Sequence, residues 1–76
     1  MEEQLLQEIE KMWQRYSQYK ETAEQHEFVD LLIFDNYLIA QYEDIQRNYA
    51  EDRAKILIKN LKFVFNKLGI MYEEDI

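Results

Sequence analysis

The stretch Phe28–Ile45, FVDLLIFDNYLIAQYEDI, decides the architecture of this chain. Wound as a helix, it gathers Phe28, Leu31, Leu32, Leu38, Ile39, Tyr42 and Ile45 in one arc around Asp35. Val29, Ile33, Tyr37 and Ala40 fall on nearly the opposite side. A surface helix of a small protein carries one apolar stripe, so a helix with two must cover both. This one is expected to be the middle element of the domain, or else to hide one face against a partner.

Asp35 stands at the centre of the main arc, where a leucine is expected. A buried carboxylate costs several kcal/mol unless it is paired or hydrogen-bonded. Three roles follow, in order of preference. Asp35 bonds a tyrosine hydroxyl or a lysine from a neighbouring helix; or it sets register in a self-associating bundle, as polar core residues do; or it belongs to an open site for a basic partner.

Working outward toward the N-terminus, Leu5, Ile9, Met12, Tyr16, Tyr19 and Ala23 alternate spacings of four and three, a heptad seam that Leu6 and Trp13 widen. Glu8, Glu10, Lys11 and Gln14 take the other side. The first helix is predicted over 3–21. Thr22 followed by Gln25 has the form of a capping box and predicts a break there, with the second helix over 23–47. One continuous rod is the alternative.

Toward the C-terminus, Asn48 is a candidate N-cap with Glu51 three positions on, and Glu51–Asp52 suit the positive end of a helix dipole. The third helix is predicted over 49–68, with Lys67 in its last turn and Gly69 suited to the left-handed position that stops it. Its core stripe is Ala54, Leu57, Ile58, Leu61, Val64, Phe65 and Leu68, while Ile56 and Phe63 fall outside that stripe. Residues 69–76 read as a tail, whose Ile70 is placed to fold back on the last turn.

With one glycine, no proline and no sustained alternation, strand signals are missing. The fold class is therefore all-α: a single domain over 1–76, built as an up-down-up three-helix bundle. A long helical hairpin that pairs with itself is the alternative. A 76-residue chain buries only about 60–65 % of the surface its unfolded form exposes, so regular helix packing or self-association must supply what disulfides cannot.

Composition removes several function classes. Absent cysteine excludes disulfides, thiolate catalysis and thiolate metal sites together. The longest unbroken apolar run, Leu31–Phe34, is far short of the roughly 20 residues a membrane span needs. The Met-Glu-Glu-Gln start lacks the basic n-region of a secretory signal, so a cytoplasmic location is expected. A formal charge of −7 opposes direct binding to nucleic acid or anionic membrane. Richness in Tyr, Ile, Lys and Asn fits AT-rich genomes, those of phages and mobile elements among them.

Catalysis is not expected. Ser17 and Thr22 are the only aliphatic hydroxyls and His26 the only imidazole, and no glycine-rich phosphate loop occurs. His26 and Asp30 stand four apart, but two ligands rarely hold a metal alone. No catalytic residue, cofactor or metal site is assigned. Of six tyrosines, Tyr37 is the one placed to face outward, because it lies on the second stripe.

Charge is divided along the chain. Residues 1–52 hold thirteen acids and four bases; residues 53–72 hold five bases and no acid. The plain reading is that the basic third helix packs against two acidic ones, each surface pair contributing only ~0–1 kcal/mol. The functional reading is that Lys55, Lys59 and Lys62, flanked by Ile56 and Phe63, form a basic–apolar patch. The surplus apolar surface predicts a protein–protein interaction module, a small adaptor or inhibitor for a larger protein partner. Its candidate surface is Val29, Ile33, Tyr37, Ala40, Ile56, Phe63 and Lys59. A homodimer that hides the second stripe against its own copy is one alternative; an acidic mimic of nucleic acid that blocks a nucleic-acid-binding protein is another.

Overall fold

The computed structural model describes residues 2–22 and 31–69. They form three helices: α1 (Glu2–Thr22), α2 (Leu32–Arg47) and α3 (Glu51–Leu68). No strand occurs among the described residues. Cross-links between side chains fix the directions. Tyr16 meets Asp35 while Trp13 stacks on Tyr42, so α1 and α2 are antiparallel. Arg53 meets Asp44 and Asn60 meets Gln41, so α2 and α3 are antiparallel as well. The Tyr19 hydroxyl, 3.4 Å from the Leu68 carbonyl, brings the ends of α1 and α3 together. The chain is an up-down-up three-helix bundle, not a hairpin.

The shared element is α3, not the second helix as its two stripes suggested. α3 packs against both other helices. It supplies Ala54, Leu57, Ile58, Leu61, Val64 and Phe65 to the core, against Ile9, Met12 and Tyr16 from α1 and Leu38 and Ile45 from α2. The reason lies in how continuous the stripes are. On α3 apolar residues recur at spacings of three and four without a polar interruption, which suits a helix wedged between two others. The arc on α2 is interrupted by Asp35, and α2 is turned so that this carboxylate faces α1. That rotation leaves Leu32, expected in the core arc, 54 % exposed.

Two boundaries differ from expectation. α2 begins at Leu32, with Leu31 (φ −104°, ψ 6°) as its N-cap residue and Asp35 N–H bonding the Leu31 carbonyl at 2.8 Å. No side chain caps this start. Asp35 stands in the first turn, where the helix dipole favours a carboxylate, and is held there from α1 by Tyr16 and Lys20. Thr22 is the last residue of α1; Gln25 of the predicted capping box, Val29 and the part of the predicted second helix over 23–30 lie outside the described residues, as does the tail beyond Gly69.

Asn48 is not the N-cap of α3. Its backbone N–H bonds the Asp44 carbonyl at 2.7 Å and so closes α2. Two further residues are needed to reverse the chain, and Ala50, extended at φ −141° and ψ 124°, takes the N-cap place. The first α3 bond runs from Ala54 N–H to the Ala50 carbonyl at 2.9 Å. Glu51 and Asp52 do stand in the first turn, where the helix dipole favours them. At the other end Gly69 adopts the left-handed conformation (φ 72°) and donates to the Asn66 and Phe65 carbonyls, as a helix-stopping glycine should.

Candidate functional site

On the inner side of α2, Asp35 is only 6 % exposed. The Tyr16 hydroxyl donates to its Oδ1, and Lys20 Nζ reaches both carboxylate oxygens at 3.1 and 3.2 Å. Both donors come from α1, because residues four apart share a helix face. Burial pushes the Tyr16 hydroxyl far above the ordinary tyrosine range, and the Asp35 hydrogen bond and charge push it the same way. Tyr16 therefore stays a neutral donor. Lys20 Nζ also lies 5.5 Å from the centre of the Tyr16 ring. One turn further along, Trp13 and Tyr42 stack at 4.2 Å with planes 6° apart, and the Tyr42 hydroxyl donates to Glu10. Burial first, then that bond, pushes Tyr42 up to about 12. These two clusters fasten α1 to α2.

The outer side of α2 is organised differently. Ile33 is 86 % exposed, Tyr37 48 %, and Ala40 is exposed beside them. Ile56 and Phe63 on α3, which fall off that helix's buried stripe, are 47 % and 48 % exposed. Between the two helices runs a groove of about 370 Å³ lined by Tyr37, Ala40, Gln41, Asp44, Ile45, Arg53 and Ile56. The small Ala40 side chain opens it; Tyr37 and Ile56 flank it.

Polar bonds hold its walls at fixed separation. Arg53 Nη1 lies 2.6 Å from Asp44 Oδ2 at the end nearest the loop. Asn60 Nδ2 donates to Gln41 Oε1 at 3.0 Å, and Gln41 Nε2 donates to the Tyr37 hydroxyl at 3.1 Å. The Tyr37 hydroxyl thus accepts from its own helix and still has a proton to give. Beyond this bar Phe34 packs edge-on to Phe63 at 5.6 Å, and Lys67 Nζ lies 5.6 Å from the centre of the Phe63 ring.

The structure therefore brings Ile33, Tyr37, Ala40, Ile56 and Phe63 onto one side of the bundle, with Lys59 exposed on the same helix as the last two. Val29 lies outside the described residues, and so does the His26–Asp30 pair. Gln41, Asp44, Arg53 and Asn60 line or brace this face without having been anticipated. Their signal was available only as a pairing: two antiparallel helices joined by a three-residue connection bring 44 beside 53 and 41 beside 60.

Among the described residues no group of three or more His, Asp or Glu side chains is placed to hold a metal ion, and no helix is long and apolar enough to cross a membrane. No protein-family model, curated protein or solved structure matches the chain.

Proposed function

We propose that this chain is a non-enzymatic protein–protein interaction module, a small helical adaptor or inhibitor that docks a larger protein partner on its α2–α3 face. The observation that carries the reading is the exposure of Ile33, Tyr37, Ile56 and Phe63 together on one side of the bundle. Isolated exposed apolar residues are ordinary; a group of large ones around a groove marks a contact surface. Helix-in-groove recognition uses side chains at such spacings. The rest of the chain does the work of a scaffold. Buried Tyr16 and Asp35, with part-buried Lys20, and stacked Trp13–Tyr42 fasten α1 to α2 and leave the opposite side of α2 free of that work.

The test is comparative capture. Wild-type chain and an Ile33→Asp, Ile56→Asp variant are immobilised at equal density and exposed to extract from the source cells. The reading expects a protein retained by wild type and lost by the variant, with helicity unchanged by circular dichroism. Equal retention by both, or retention by neither, contradicts it.

A further inference from the structure

Resting on that reading, we infer that the segment seated on the α2–α3 face is an amphipathic helix whose flank is acidic. The walls of the groove are themselves two antiparallel helices, with the small Ala40 between the larger Tyr37 and Ile56. A cavity of roughly 150 Å³ holds a benzene-sized group, so the groove volume of about 370 Å³ takes two large side chains, not one. Ile33 and Ala40 on α2 and Ile56 and Phe63 on α3 are each seven residues apart, a span of about 10 Å of helix. A partner helix of two to three turns matches that length with apolar residues one turn apart.

The charges supply the second half of the argument. The protein is acidic as a whole, yet this face is edged by cations. Lys59 and Lys67 are exposed beside Phe63, Lys67 close over its ring. Arg53 at the other end is already bonded to Asp44. Among the described residues the exposed acids on the two helices, Glu43, Glu51 and Asp52, all lie near the loop. The Phe63 end of the face therefore meets an incoming chain with two lysines, and Tyr37 adds a hydroxyl that can donate. An acidic flank satisfies all three, and complementary charge selects partners more than it adds affinity. A second copy of this chain is opposed by the −7 that each copy carries. A bare nucleic-acid strand matches the lysines and leaves Ile33, Ile56 and Phe63 uncovered.

Two synthetic peptides of about fourteen residues, ~21 Å as helices, test this. Both carry leucines one turn apart on a single face; one has glutamates on its flanks and the other lysines. Each is titrated into the isotope-labelled full-length chain. The expected result is that the acidic peptide shifts the amides of Ile33, Tyr37, Ala40, Ile56 and Phe63 and binds about tenfold more tightly than its twin. Lys59→Glu with Lys67→Glu, or the same pair to alanine if reversal disturbs folding, abolishes the preference.

Equal binding of both peptides at this face overturns the acidic flank while leaving the docking reading intact. No shift at the face with either peptide overturns both. A concentration-dependent dimer that buries the same amides, or an oligonucleotide that displaces the acidic peptide, overturns the inference in favour of that other occupant.

Discussion

Asp35 and Ile33 are two residues apart on α2, and each occupies the surroundings expected for the other. The carboxylate is 6 % exposed; the isoleucine is 86 % exposed. Burial of the acid is tolerable because Tyr16 and Lys20 satisfy it, and both belong to α1. Exposure of the isoleucine has no such local compensation. The contrast separates two uses of one helix: its inner side fixes the bundle by specific bonds, and its outer side contributes little to the fold.

The sharpest way to test the inner side is to remove its packing. Leu38, fully buried on α2, should cost 2–5 kcal/mol as Leu38→Ala, about the range for a leucine in a well-packed core. Urea unfolding followed by circular dichroism measures it. The next largest effect concerns Asp35. Asp35→Ala leaves the Tyr16 hydroxyl buried without its acceptor and Lys20 without its carboxylate, for a loss of about 1–3 kcal/mol. Replacing Tyr16 by phenylalanine and Asp35 by leucine together should recover most of that loss, because an apolar pair asks for no partner. If the double variant is no better than Asp35→Ala, the cluster is not acting as a unit.

Alkali tests the same clasp without mutation. Tyr42 ionises near 10.0 when unfolded and is pushed up to about 12 in the folded chain; Tyr16 is raised further. Between these values the unfolded state has released protons that the folded state keeps. Stability should therefore be level below about pH 10 and fall as pH rises toward 12. Tyr42→Phe should flatten part of that fall. Unfolding midpoints that do not move across this interval contradict the burial of the two hydroxyls.

Smaller effects come from the ends and the outside. Gly69→Ala forces a side chain into left-handed backbone and should cost about 1–2 kcal/mol, though open space surrounds the position. Asparagine there should cost less. Ile33→Asp, on the outer side, should change stability by no more than about 0.5 kcal/mol.

Much of the fold was readable from periodicity. The seam on α1, the buried stripe on α3 and the stop at Gly69 all follow from spacing and from one residue's conformational freedom. Asp35 could be singled out because a carboxylate amid leucines must find a donor, and the structure supplies the lysine and the tyrosine. The start of α2 could not be read, since Leu31 carries no capping side chain. Nor could the place of Asn48, whose capping preference suits α3 but whose amide serves α2. The second stripe was visible in Ile33, Tyr37 and Ala40, but that these residues stay uncovered depends on α3 taking the central place. The brace of Gln41, Asp44, Arg53 and Asn60 exists only between helices, and no single-helix pattern contains it.

The equilibrium stability of the Ile33→Asp, Ile56→Asp double variant, read from its urea midpoint at low micromolar concentration, addresses the outer face most directly. A cooperative transition within about 1 kcal/mol of wild type is the expected result, since Ile33 is almost wholly exposed and Ile56, about half exposed, lies off the buried stripe of α3. A loss of several kcal/mol would mean that these residues are already buried in the native protein in solution, and that the face is closed to any incoming helix.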